Sequence, residues 1–410
     1  MKDRAEIVIV GAGIAGASIA LHLARRGRTD VLVLEQGELI SGTTSHAPGL
    51  IGQLRTSPAL TRLLMDSVEL YRGLELDGVS GFQEVGSLRL ASSRARLDEL
   101  RQQQASAARS GLTAHLLGPD QALRKFPAMN SESLEGALYI PSDGSATAPV
   151  LAGAMIRDAQ ALGVAFQPQT RVTAIDLRGQ GVSAVQTTSG RVETKTLVIA
   201  AGIWSPLVAQ LAGIAVPLVP MQHQYVETEP IEELVGRTLP NVRDPDNLVY
   251  ARLKNDGLSL GGYERNPRAL AGAIPAGPDP TQLVYDERHF DVLWQSAVRR
   301  FPALAKTRLA RRVNGLESFT PDGAFLLGPC STVRGLWVAC GFCAHGVSAG
   351  GGVGKAMAEW IVEGRPALDL SGMDIGRFGK APPAGDELVA AVRQVYSTYY
   401  DVTPQSAAQH

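Results

Sequence analysis

Cysteine is scarce in this sequence: three residues in 410, Cys330, Cys340 and Cys343. So few thiols argue against a disulfide framework and make a reducing compartment, the cytoplasm, the default expectation. A basic excess is missing too. With 39 Lys+Arg against 40 Asp+Glu, the chain lacks the cationic surplus of a protein held to nucleic acid by phosphate contacts, and a small-molecule partner is expected instead. Long apolar runs are also lacking. Ile7 to Ala24 falls short of the roughly 20 apolar residues of a membrane span, and Lys2, Asp3, Arg4 and Glu6 before it cancel in charge where a secretory leader would be positive. No leader and no membrane contact are expected. Hydrophobic residues at 45% and charged residues at 19% exclude a disordered chain. At about 150 residues per domain, the length suggests two or three domains. What the chain has in excess is glycine, 44 residues against a usual share of about 7%. That excess belongs where backbone must approach something closely.

Cys340 and Cys343 form a CxxC, a spacing used in redox and zinc chemistry. No second pair completes a four-thiolate site, and His345 lies one residue too late for haem attachment. The plainer reading makes both cysteines small residues on the way out of a buried strand, and no metal is expected.

Glu6 to Val10 is an apolar run ending in glycine, as a strand buried on both faces of a parallel sheet should be. A helix is predicted over Ile14 to Arg26 and a second buried strand over Val31 to Glu35. Further on, a strand over Gly86 to Ala91 and helices over 95–110, 120–126, 150–162 and 285–300 are predicted. Antiparallel strands are expected between Val216 and Gly262, and a strand, a glycine-rich turn and a helix over 335–362. The fold class is α/β: a Rossmann-like domain from 1–80, 145–215 and 325–365, interleaved with an α+β substrate domain, carrying an antiparallel sheet, from 81–144 and 216–324. Residues 366–410 read as a wrapping extension.

Gly11-Ala-Gly-Ile-Ala-Gly16 sits between strand and helix, and Glu35 ends the next strand nineteen residues after Gly16. Gly11 allows the tight turn, Gly13 the close approach of a pyrophosphate, and Gly16 the packing of helix on sheet. The helix N-terminus, with Ile14 and Ala15, offers N–H groups to phosphate, and Glu35 can accept from ribose hydroxyls. Gly179 to Ala184 matches the same expression but leads into no helix, so it reads as a hairpin turn. One credible dinucleotide site means FAD or NAD.

Ser41-Gly-Thr-Thr-Ser-His-Ala-Pro-Gly-Leu50 and the glycine-rich Gly341 to Gly354 decide between them. With Gln83 to Leu90, Ile140 to Gly144, Ala200 to Trp204, Gln222 to Val226 and Phe319 to Gly323, in that order, the chain resembles the amine-oxidising flavoproteins that include dimethylglycine oxidase and the dimethylglycine and sarcosine dehydrogenases, in the D-amino-acid oxidase-like superfamily. The resemblance implies FAD. It implies that His46 bonds the flavin covalently; the alternative is that His46 packs beside the ring edge, and Ser45 stands where some relatives place tryptophan. Cofactor contacts are implied for Gln36, Thr43, Thr44, Ser45 and Leu50, for Val172, Gly202 and Trp204, and for His345, Gly346, Val347 and Ser348. Gly350 to Gly354 reads as a turn ahead of an apolar helix whose N-terminus would face the flavin, or as a purely structural turn.

His223 and Tyr250 are implied as the catalytic pair. Strand alternation places His223 and Tyr225 on one face, and a histidine suits removal of a proton from an amine near neutral pH; a structural histidine and a core tyrosine are the alternatives. Arg55 and Arg252 are weaker candidates for a substrate carboxylate, since either could be a solvated surface charge. The implied reaction is oxidative N-demethylation of an N-methylated amino acid or similar small amine. Hydride passes to flavin N5, the imine hydrolyses to formaldehyde, and dioxygen or an electron-transfer protein accepts the electrons. Many relatives continue into a folate-binding module, whereas this sequence stops at His410, so release of formaldehyde or a separate folate-binding protein is expected. Deamination of a primary or cyclic amino acid, or service as the flavin-carrying subunit of a larger assembly, are the other readings.

Overall fold

The computed structural model describes residues 2–275, 281–379 and 381–402. Ile7–Val10 and Val31–Leu34 are fully buried strands that pair in parallel. Their apolar side chains are covered on both faces, and the Ile14–Arg25 helix supplies the crossover between them. Among the described residues this sheet runs Ala165–Gln167, Val31–Leu34, Ile7–Val10, Thr196–Ile199, Leu336–Cys340, Leu326–Pro329. Every neighbouring pair is parallel except the last.

The Gly346–Glu363 helix packs against the Ile14–Arg25 and Pro58–Tyr71 helices. Here the sequence expectation needs correcting: Gly350 to Gly354 lie inside this helix, not in a turn ahead of it. They serve helix contact. A Cβ on Gly352 would stand 2.0 Å from the Leu63 carbonyl oxygen, and one on Gly354 would stand 2.0 Å from Ser18 Oγ. Each interior helical glycine costs about 0.5–1 kcal/mol relative to alanine, offset by the close packing it permits.

Val172–Arg178 and Gly181–Thr187 form an antiparallel hairpin, so the second glycine match is the turn it was read as. The large sheet runs Leu309–Phe319, Val219–Thr228, Gly257–Gly262, Val249–Lys254, Asn241–Asp244, Ser87–Ala91, Gly136–Ile140, His115–Leu117. The strands between 216 and 262 pair antiparallel, while Asn241–Asp244 adds in parallel to Ser87–Ala91.

The segment after Pro366 touches both sheets. Ile375 and Phe378 pack on the core behind the parallel sheet, and the Gly385–Ser397 helix buries Val392 and Tyr396 against the large one. Residues 403–410 of the expected extension lie outside the described residues. No helix among the described residues is long and apolar enough to cross a membrane.

Candidate functional site

A cavity of about 940 Å³ runs from the first glycine turn to the large sheet. At one end lie Gly11, Gly13, Ile14 and Ala15. Gly11 stands at φ +107, and a Cβ there would meet the Ala200 carbonyl oxygen at 2.4 Å, so only glycine makes this turn. Gly16 does not line this cavity; a Cβ on it would lie 1.9 Å from the Gly11 carbonyl oxygen, which is the packing job its position predicts. No acidic side chain stands in the first turn of this helix, which leaves its N-terminal partial charge available to an anion. Ile14 N–H donates to Thr44 Oγ1 at 3.1 Å. Glu35 accepts from Ala12 N–H at 2.9 Å and Gly37 N–H at 3.0 Å, one on each oxygen. Each oxygen keeps acceptor capacity toward the cavity it lines. Gln36, Val172, Gly202 and Trp204 continue this wall. These groups fit a dinucleotide.

Further in, Thr43–His46 forms a single 3₁₀ turn with the His46 ring buried. Thr281 Oγ1 lies 3.2 Å from His46 Nδ1, and Tyr225 Oη donates to the His46 carbonyl at 2.8 Å. Gly315 lies against the ring: a Cβ there would stand 2.6 Å from His46 Cδ2 and Nε2. Thr43, Thr44, His46 and Leu50 line the cavity. Ser45 does not; its hydroxyl turns back to the Gly42 carbonyl at 2.9 Å. Across the cavity, Cys343 and Ala344 take φ of 44° and 70°, a left-handed turn that brings Gly346, Val347 and Ser348 at a helix N-terminus to the wall. His345 faces away from the wall. Its Nε2 accepts from Arg55 Nε at 3.1 Å, and burial, with Arg55 and Arg243 nearby, holds its pKa well below the ordinary histidine value. Both cysteines of the CxxC are buried and unbridged, and burial pushes their thiols up to about 12 for Cys340 and about 11 for Cys343; they are poor thiolates.

At the far end His223, Tyr225 and Tyr250 line the cavity together. Tyr250 stands not on the strand beside that of His223 but one strand further. Gly261 stands in register with both Tyr225 and Tyr250, and a Cβ on it would lie 2.5 Å from Tyr250 Oη. The missing side chain lets the phenol reach across to His223 Nε2 at 2.8 Å. Tyr396 Oη, from the C-terminal helix, holds His223 Nδ1 at 2.9 Å. Burial, with Glu317 and other groups adding, raises the Tyr250 pKa well above that of a free phenol, so Tyr250 keeps its proton.

Neither arginine candidate is a surface charge, and neither lines the cavity. Arg252 is buried, with Cζ 3.4 Å from where a Gly49 Cβ would stand. Arg55 is committed to His345 and the Leu54 carbonyl; burial and the neighbouring Arg243 bring its pKa down to about 9. Arg243 faces the cavity at this end, and Arg171 lines it beside Val172 at the dinucleotide end, whereas Arg96 and Arg300 are held in ion pairs with Asp246 and Asp244.

A family profile described as DAO, FAD dependent oxidoreductase, matches residues 6–360. The chain belongs to this family of FAD-dependent oxidoreductases. It is 37% identical to human mitochondrial sarcosine dehydrogenase over 92% of this chain and 42% of that protein. With rat mitochondrial dimethylglycine dehydrogenase it shares 36% identity over 92% of this chain and 45% of that one. The chain thus spans less than half the length of these relatives. Among solved structures, L-proline dehydrogenase from P. horikoshii superposes with a TM-score of 0.83 at 26% identity, covering 92% of this chain and 98% of that one. The FAD expectation and the α/β class agree with these matches.

Arg243, Tyr263, Glu317, Tyr396 and Tyr399 escaped the sequence reading. Four of them border the cavity, and Tyr396 stands behind His223. One signal was present: Tyr396, Tyr399 and Tyr400 place three of the nine tyrosines within five residues.

Proposed function

We propose that this FAD-dependent oxidoreductase oxidises an N-methylated amino acid or similar small secondary or tertiary amine. The observation that carries the reading is the Tyr250–His223 pair facing, with Arg243, the cavity that begins at the dinucleotide loop. The relatives' substrates, sarcosine and dimethylglycine by name, agree with it.

FAD, when bound, accepts the hydride lost from the carbon next to nitrogen. That carbon gives up hydride only when the nitrogen lone pair is free, so an ammonium substrate must first lose a proton. Tyr250 and His223 accept it. Arg243 holds the substrate carboxylate, a charge-assisted contact in a buried setting. Glycines 11 and 13 and Glu35 would hold the dinucleotide, and His46, pressed between Gly315 and Thr281, is the residue that would bond the flavin covalently. The N-terminus of the Gly346–Glu363 helix places partial positive charge on the opposite wall. The oxidised substrate is hydrolysed with release of formaldehyde, and dioxygen or an electron-transfer protein takes the electrons.

The test is anaerobic bleaching of the purified yellow protein by a panel of sarcosine, dimethylglycine, 4-methylaminobutanoate, proline and glycine, with assay of formaldehyde and ammonia. Bleaching by the N-methyl compounds with formaldehyde is the expected result. Bleaching by proline or glycine alone would assign the cyclic or primary amine reaction instead.

A further inference from the structure

His223 is the midpoint of a longer string of side chains, and its far half comes from outside the cavity. Beyond His223 Nδ1 stands Tyr396 Oη at 2.9 Å, and Tyr396 Oη donates to Glu264 Oε2 at 3.4 Å, the longest link. The other oxygen of Glu264 is 2.8 Å from His289 Nε2. Tyr396 is fully buried and His223 and Glu264 nearly so, while the His289 side chain keeps 10% exposure.

We propose that Tyr250, His223, Tyr396 and Glu264 form a one-way proton path from the substrate nitrogen to the Glu264–His289 pair, with Tyr396 as the residue that sets its direction. This rests on the amine-oxidation reading above. Tyr396 Oη donates to Glu264 Oε2, so its single proton points at Glu264. The Tyr396 oxygen must then accept from His223 Nδ1–H. That leaves His223 Nε2 without a proton, facing the Tyr250 hydroxyl as an acceptor. Every donor points outward, and the remaining lone pair of Tyr250 faces the cavity.

The transfer balances. The ammonium proton goes to Tyr250 Oη, the Tyr250 proton to His223 Nε2, the Nδ1 proton to Tyr396 Oη, and the Tyr396 proton to Glu264 Oε2. One proton moves from substrate to carboxylate, and no electrons move. Burial holds the Tyr250 and Tyr396 phenols protonated, as hydroxyl relays require. Tyr263, with its ring centre 4.8 Å from that of His223, and Glu317 also face the imidazole. Tyr263 Oη bonds Glu317 at 3.5 Å, and neither stands in the string.

The test has two readouts on the whole flavoprotein. In [¹⁵N]histidine-labelled protein without substrate, the ring signal that is lost in His223→Gln should be that of a neutral imidazole protonated at Nδ1, distinct from that of His345, whose Nε2 accepts from Arg55. In Tyr396→Phe that same ring should shift toward the Nε2-protonated form. The second readout is anaerobic flavin bleaching, which in Tyr396→Phe should slow roughly 10²-fold, the lower end of what a positioned proton acceptor contributes, with the substrate concentration for half-maximal rate unchanged. Glu264→Gln, which keeps the shape and removes the charge, should slow it as well. An Nε2-protonated His223 in the unsubstituted protein, or an unchanged bleaching rate in Tyr396→Phe, overturns the path. If no amine bleaches the unsubstituted protein, the amine reading fails while the tautomer still reports on the string.

Discussion

Gly261→Ala tests the geometry of the site without touching any group that carries its chemistry. Gly261 lies on the strand between those of His223 and Tyr250, and an added Cβ would stand 2.5 Å from Tyr250 Oη, 2.8 Å from its Cζ and 2.9 Å from Tyr225 Cβ. Ordinary contact begins at 3.4 Å, so the Tyr250 ring must retreat by up to 0.9 Å, the difference between 3.4 and 2.5 Å. The Tyr250–His223 hydrogen bond, now 2.8 Å, would stretch past 3.5 Å and cease to be one. Overpacking of this kind costs about 1–3 kcal/mol of stability, less than the about 5–15 kcal/mol typical of a folded protein. A misplacement of about 1 Å at a reacting centre costs about 10²-fold in rate. Stopped-flow anaerobic bleaching should therefore slow by about that factor, while flavin content and the visible spectrum stay unchanged. A variant that folds, keeps its flavin and bleaches at the original rate would show that Tyr250 does not act through His223.

His46→Ala should leave no flavin in the pellet after acid precipitation, whereas the unsubstituted protein should give a yellow pellet; a colourless pellet from the latter removes the covalent link. Arg243→Met should raise KM for a carboxylate-bearing amine by roughly 10- to 100-fold, from the about 1.5–3 kcal/mol of a hydrogen bond to a charged group, and should leave an uncharged amine unaffected. His22 contributes to acid stability: burial, then Arg25, Lys355 and Arg26, lower its pKa from 6.5 to about 4. Between those values the unfolded chain binds the proton that the folded one refuses. Stability present above pH 6.5 is thus lost as pH falls to about 4, by roughly 3 kcal/mol at most. Thermal melting against pH should flatten over that window in His22→Gln, and an unchanged slope would assign the acid sensitivity elsewhere.

The sequence by itself determined the dinucleotide end of the molecule. Gly11, Gly13, Gly16 and Glu35 belong to one local strand–turn–helix–strand unit, where spacing along the chain is spacing in space. His46 was named only through the resemblance to amine-oxidising flavoproteins, and the shared face of His223 and Tyr225 through strand alternation. The rest was decided by tertiary structure. Arg243, Glu317, Tyr396 and Tyr399 reach the site from three separate stretches, two strands of the large sheet and the segment after Pro366, and no periodicity records that they meet. Arg55 and Arg252 looked equivalent to Arg243 as charges; burial and partners separated them. The glycines at 350–354 were visible as an excess, but only the helix surfaces of Leu63 and Ser18 gave them their task, because close packing is a property of two elements and never of one.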